Sequence, residues 1–189
     1  MVPLRDRTAS GELAPGLLES CRAGDREAFR VLYDLYKDRV YSIALYFFQG
    51  DETSAADITQ QVFLKLITAM PQFKGDSAFS TWLYRLVVNA CQDAARRRKH
   101  TLAATVDDLT APGSQEEDLV RTQVSRSIHD AIASLPPKLR IAVLLRYFDD
   151  LSYEQMAEAL HCSMGTVASR LSRGHRMLAE RLHSLRGQR

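Results

Sequence analysis

Apolar residues in the first half of the chain recur every three or four positions. Ala28, Leu32, Leu35, Tyr36, Val40, Ile43, Ala44 and Phe47 form one such series, which predicts a long amphipathic helix with those side chains inward. Ile58, Val62, Phe63, Leu66, Ile67 and Met70 predict a second helix over 57–70. Leu83, Leu86, Val87, Ala90 and Ala94 predict a third that runs through Lys99. In the second half Leu139, Ala142, Val143, Leu145 and Phe148 repeat the pattern after Leu135-Pro136-Pro137, where proline stops one helix and opens the next. No stretch alternates with period two for long enough to propose a strand, so the expected class is all-α.

The punctuation agrees. Gly24-Asp25, Gly50-Asp51 and Gly75-Asp76 each precede helical character, with glycine turning the chain and aspartate placed to accept from the free amides of the next helix. After Asp149-Asp150, Ser152 and Gln155 have capping-box spacing, and Leu151 can staple onto Met156. A short helix over 153–160 is followed by His161-Cys162, and Ser163 can cap a further helix from Met164. Ala157, Leu160 and Val167 fit the small, large and branched packing sites of a helix-turn-helix. With Val167, Leu171 and Leu178 inward, Thr166, Ser169, Arg170, Arg173 and Arg176 face out, an arrangement suited to guanine edges and phosphates in a major groove. Cap, turn, packing sites and arginine face favour this over an αα-hairpin that merely packs. Gly174, at a cost of roughly 1 kcal/mol relative to alanine in a helix interior, is tolerated near the end of that helix.

Two other polar faces carry candidate chemistry. Asp57, Gln60, Gln61, Leu64, Lys65 and Thr68 share the polar side of their helix, with Leu64 in its middle. This is either a solvated face with one stray leucine or a docking face with an apolar anchor and a polar rim; periodicity alone does not choose. The loop from Phe73 to Trp82 carries three aromatics and leads into a helix whose stripe of Arg85, Asn89, Gln92, Arg96 and Lys99 is wholly polar. Together they have the parts to hold phosphates and splayed bases. Phe79 and Trp82 also fit as plain core aromatics, and Arg96 to Lys99 as a solvated basic helix end.

Composition narrows the class. The 189 residues are 46% hydrophobic and 25% charged, which matches folded chains, and apolar runs such as 43–48 and 141–145 fall far short of a membrane span. No signal-peptide stretch opens the chain, so a cytoplasmic protein is expected. Cys21, Cys91 and Cys162 are odd in number and widely spaced, as reduced thiols are, and His161-Cys162 has no further ligands at metal-site spacing. The net charge of +2 hides a division: +2 over 1–100, −4 over 101–124 and +4 over 125–189. The acidic stretch contains Pro112-Gly113-Ser114 and no helical period, and reads as a linker between two domains. Residues 1–14 read as a disordered extension. Walker, H-E-x-x-H and G-x-S-x-G motifs are absent, as is any cluster of catalytic carboxylates, so no catalysis, cofactor, metal or small-molecule substrate is expected.

The strings starting at Asp57, at Phe73 (through Asn89), at Leu135, at Leu151 and at Gly165, in that order, resemble the extracytoplasmic-function (group IV) sigma factors of bacterial RNA polymerase. The resemblance spans about Leu17 to Leu182. It implies region 2 over 15–100, which docks on the clamp helices of the polymerase β′ subunit and reads the −10 element. It implies region 4 over 125–189, which touches the β flap and reads the −35 element. Carried over, Asp57, Gln60, Gln61, Leu64, Lys65 and Thr68 become the polymerase contacts. Phe79, Trp82, Arg85, Asn89, Gln92, Arg96, Arg97, Arg98 and Lys99 become −10 contacts, the Phe73–Trp82 loop holding a flipped base. Ser163, Thr166, Ser169, Arg170, Arg173 and Arg176 become −35 contacts. The resemblance further implies promoter DNA and core polymerase as partners, an anti-sigma protein as regulator, and an acidic linker lying in the basic RNA-exit path, with no insertion into the membrane. Two departures stand out: Ala168 where the family often has a cation, and His161 where glycine is common at the turn, a position histidine tolerates. A stand-alone helix-turn-helix regulator is the competing class; it would need a dimerisation surface, and no coiled-coil or sensor segment is evident.

Overall fold

The protein is described by a computed structural model over residues 13, 16–104 and 127–186. The expected extension over 1–14, apart from Leu13, and the linker from residue 105 onward lie outside these residues. All regular structure among them is helical: α1 (Leu17–Arg22), α2 (Arg26–Phe47), α3 (Glu52–Ala69), a 3-10 turn (Met70–Gln72), α4 (Phe79–Ala104), α5 (127–133), α6 (Pro137–Asp149), α7 (Tyr153–Ala159) and α8 (Met164–Arg186).

Local chemistry explains most boundaries. Asp25 Oδ1 accepts from the amides of Glu27 at 2.8 Å and Ala28 at 3.3 Å and so caps α2, while Asp51 accepts from the Ser54 amide at 3.0 Å and caps α3. That cap starts α3 five residues before the expected Asp57. Gly75 has φ +79, but α4 begins only at Phe79, so Asp76 lies in the loop and caps nothing; the first turn closes from the Trp82 amide to the Ala78 carbonyl at 3.2 Å. At its other end α4 continues through Ala104, into the stretch read as linker. The capping box of α7 is formed, with Ser152 N donating to Gln155 Oε1 at 2.8 Å and Gln155 N to Ser152 Oγ at 3.2 Å. His161 adopts φ +49, the left-handed conformation that the tight turn requires.

Helices α2, α3 and α4 pack on one another with α1 against α2, and α6, α7 and α8 form a second group. The inward series hold with two exceptions: Leu35 is 52% and Ile67 49% exposed, because each lies at the margin of its apolar stripe, where no neighbouring helix reaches it. The two groups do not stand apart. α6 packs along α2, α7 packs on α4, and one contiguous core runs through both. The cause is visible at the end of α2, where residues 43–48 are apolar on every side. α3 and α4 can cover only part of that circumference, and the second group covers more of it. Tyr46 sits against His129 and Phe148, with ring centroids 5.1 and 5.2 Å apart.

Candidate polymerase and nucleic-acid interfaces

On α3 the structure exposes Asp57, Gln60, Gln61, Leu64, Lys65 and Thr68 together on one face. Leu64 is 57% exposed, and Ile67, assigned inward by its identity, lies beside it one turn on. The two leave a shallow groove between α2 and α3, lined by Tyr33, Tyr41, Thr59, Gln60, Phe63, Leu64 and Ile67. Tyr33 packs edge-on against Phe63 with centroids 4.7 Å apart, which fixes the groove wall. An apolar strip of this kind, bordered by amides and one lysine, has the composition of a docking centre with its rim. Ile67 was legible in principle: three residues on from Leu64, it must share that face.

The Phe73–Trp82 loop is anchored from beneath. Phe73, Phe79 and Trp82 are all buried, with Phe73 and Trp82 centroids 4.9 Å apart and Tyr36 edge-on to Phe79 at 5.5 Å. The structure thus places Phe79 and Trp82 in the core; what the loop shows to solvent is Lys74, Gly75, Asp76 and Ala78. Arg85, Asn89 and Gln92 follow on one side of α4, all half-buried, and Arg96, Arg97 and Arg98 are exposed beyond them. Arg96 is ion-paired with Asp93, and Arg98 lies 3.5 Å from Asp51 Oδ2. Exposed pairs of this sort contribute little to stability and exchange readily for a phosphate. The Asp51 carboxyl is held below its ordinary range, chiefly by the Ser54 amide, with the Ser54 hydroxyl and the Arg98 charge adding to it. Lys99 lies in α4, and its side chain is outside the described set.

In the helix-turn-helix, Ser163 Oγ accepts from the Thr166 amide at 3.2 Å and starts α8. Val167 and Leu171 are buried, so Ser163, Thr166, Ser169, Arg170, Arg173 and Arg176 share the opposite side. Arg173 and Arg176 are exposed; Arg170 is half-buried, its Nη1 3.6 Å from Cys162 Sγ. Ser163, Thr166, Ser169, Arg170 and Arg173 lie at the amino-terminal end of α8, the part of a recognition helix that meets base edges, and Arg176 stands beyond them, about halfway along the helix. Sequence reasoning missed two residues that build this domain. Gly174 is buried against α6, and Arg140, in the middle of the apolar stripe of α6, is 5% exposed. A charged residue four before Leu144 on a buried stripe was a signal that could have been read.

No helix among the described residues is long and apolar enough to cross a membrane, and none of their His, Cys, Asp and Glu side chains group in threes that could hold a metal ion.

Comparison with known proteins shows which family these segments belong to. Residues 32–101 match the family described as Sigma-70 region 2, and residues 125–178 match Sigma-70, region 4. The ECF RNA polymerase sigma-E factor of Escherichia coli K12 is 34% identical over 182 residues, covering 89% of this chain and 94% of its own. The ECF RNA polymerase sigma factor SigW of Bacillus subtilis is 33% identical over 180 residues, covering 89% and 96%. Among solved structures, the sigma factor RpoE in complex with the anti-sigma factor NepR from Bartonella quintana superposes with a TM-score of 0.69 at 22% identity, over 83% of this chain and 98% of that one. CnrH in complex with the cytosolic domain of CnrY gives 0.68 at 21%, over 89% and 96%. These two share the fold. With both regions matched in order and relatives aligned over nearly their whole length, the chain belongs to the extracytoplasmic-function sigma factors of bacterial RNA polymerase.

Proposed function

We propose that this chain is a promoter-specificity subunit that acts in the cytoplasm, without catalysis of its own, by carrying core RNA polymerase to a defined set of promoters and assisting their melting. The observation that carries this reading is the exposed Leu64–Ile67 strip on α3, set in a polar rim within the segment that matches sigma region 2. Docked on the β′ clamp helices, that strip would leave water and position α4 over the −10 element. The exposed part of the Phe73–Trp82 loop then receives an unstacked base, with the buried aromatics holding the loop from below. Arg85, Asn89, Gln92 and the basic run through Lys99 follow the strand. Base–side-chain stacking and phosphate contacts of this kind favour the melted state because only splayed bases can make them. The second domain meets the β flap and lays α8 in the major groove of the −35 element, with Thr166, Ser169, Arg170 and Arg173 toward the bases and Ser163 and Arg176 toward phosphates. A separate anti-sigma protein restrains it, as the solved complexes of its structural neighbours support.

Run-off transcription with purified core enzyme on a promoter library tests the reading, alongside gel shifts with and without core. Promoter-specific transcripts and shifts that need core are expected. Tight duplex binding by the chain alone, with no gain from core, would establish a stand-alone regulator instead.

A further inference from the structure

Along α4 the lysines and arginines are Arg85, Arg96, Arg97, Arg98 and Lys99, and the sole acid is Asp93. That acid stands one turn before Arg96, and Arg96 Nη2 is paired with its Oδ1. Arg98 reaches across to the start of α3, where its Nη1 lies 3.5 Å from Asp51 Oδ2. Two of the arginines assigned to the −10 strand are therefore already met by carboxylates of the chain itself.

Both pairs are built to exchange. Asp51 does not depend on Arg98: it accepts from the Ser54 amide at 3.0 Å through Oδ1 and from the Ser54 hydroxyl at 2.8 Å through Oδ2. The Ser54 amide is also the chief cause of its lowered carboxyl, ahead of the Arg98 charge. When Arg98 leaves, Asp51 stays ionised and keeps its cap, so no buried charge is stranded. Asp93, with a side chain 48% exposed, returns to water. The Arg96 and Arg98 side chains are 75% and 49% exposed, so a phosphate can approach either one and replace the carboxylate in the same charge-assisted geometry.

We propose that Asp51 and Asp93 are internal counter-ions that restrain the −10 surface: each keeps one arginine neutralised in the free chain, which weakens binding to any phosphate backbone and leaves discrimination to contacts with the bases. The inference rests on reading α4 as the helix that follows the −10 strand. Phosphates carry no sequence information, so the cost of breaking the two pairs falls on every single strand alike. At a promoter the base contacts and the docked polymerase exceed that cost. Elsewhere nothing offsets it.

The test measures binding of the full chain to a fluorescein-labelled single-stranded oligonucleotide of mixed sequence, by anisotropy at low salt. Asp51→Asn keeps the α3 cap, because asparagine caps as well as aspartate. Asp93→Asn changes a half-exposed position on α4. Each should tighten binding about two- to fivefold, the range that loss of an exposed ion pair allows. Removing any acid favours a polyanion, so the gain is read as a cycle. It should vanish for Asp51→Asn in an Arg98→Ala background and for Asp93→Asn in an Arg96→Ala background. Glu52→Gln removes an exposed neighbouring charge outside both pairs and should leave binding unchanged. Gains that persist without the arginine, an equal gain from Glu52→Gln, or no gain in either asparagine variant would overturn the proposal. Gains that follow the cycle in a chain that directs no promoter-specific transcript with core would leave the counter-ions standing and overturn the sigma reading.

Discussion

A Cβ placed on Gly174 would stand 2.9 Å from Val143 Cγ2, closer than such atoms approach, so α8 lies against α6 at a separation that only glycine permits. Helix propensity alone favours alanine there by roughly 1 kcal/mol. The clash with a buried valine reverses the sign. Gly174→Ala is expected to destabilise the protein by about 1–3 kcal/mol in urea unfolding. Pairing it with Val143→Ala should restore more than half of that loss beyond additivity, because the two sites share one contact. A Gly174→Ala protein as stable as the wild type would show that α6 and α8 are not this close.

On α3, Leu64→Asp and Ile67→Asp should each weaken binding to core polymerase by about 2–4 kcal/mol, as expected for an anchor at the centre of an interface. Both side chains are about half exposed, so the unfolding free energy should stay within about 0.5 kcal/mol of wild type. Co-purification with core measures the first quantity and chemical denaturation the second. Undiminished co-purification of both variants would remove the docking surface from α3.

What was legible in the sequence was mostly local. Asp25, Asp51, Ser152 and Ser163 act within a few residues of themselves, so their caps follow from spacing alone, while the left-handed turn at His161 follows from the family resemblance, which has glycine there. The faces of α3 and α8 followed from periodicity. Errors arose where residue identity stood in for position: Leu35 and Ile67 are apolar but lie outside the stripe that is covered, and Asp76 follows a glycine but precedes the helix by a short loop. The packing of the second helical group on the first was hidden for a different reason. Arg140 donates to the Phe47 carbonyl, 93 positions away, and no periodic signal connects them. Gly174 reads in the sequence as a tolerated cost, because its neighbours across the helix interface, Val143 and Leu139, belong to α6.

Arg170 and Arg173 differ in their surroundings, and their variants should differ too. Arg173 is exposed and free to form a bidentate pair with guanine, so Arg173→Ala should cost about 1–3 kcal/mol at promoters that depend on the −35 element and relax specificity there. Arg170, with its guanidinium against Cys162, also holds the turn to α8. Arg170→Ala should therefore lower thermal stability as well as transcription. Loss that is uniform across promoters, with a shallower salt dependence, would mark a phosphate contact. Normal transcription by both variants would exclude α8 as the reader.

Burial pushes the Cys91 thiol up to about 12. In the unfolded chain the same thiol ionises near 8.5. Between those values the native state holds a proton that the unfolded state has released, so stability is whole below about pH 8.5 and falls as pH rises, by up to about 1.4 kcal/mol per pH unit. Cys91→Ala should flatten the decline between pH 9 and 11, other titrating groups being common to both proteins. Parallel declines in urea unfolding would show that Cys91 reaches water. The native thiol should also resist alkylation at pH 8, at which the half-buried Cys162 reacts first.

Regulation must act on a surface that closure leaves open. Packing α6 on α2 and α7 on α4 covers the end of α2 and one side of α4, but Leu64 and Ile67 remain exposed on α3. The α3 face proposed to dock on polymerase is thus available in the free chain. Under the proposed function, silencing calls for a second protein that covers the α3 face and contacts the other domain as well. Expressed without such a partner, the chain should drive constitutive transcription of its targets, and a cognate inhibitor should compete with core for the surface containing Leu64. Leu64→Asp should then lose both interactions together. A chain that stays silent in the presence of ample core until an oxidant or metal reaches His161 and Cys162 would place the control inside the molecule.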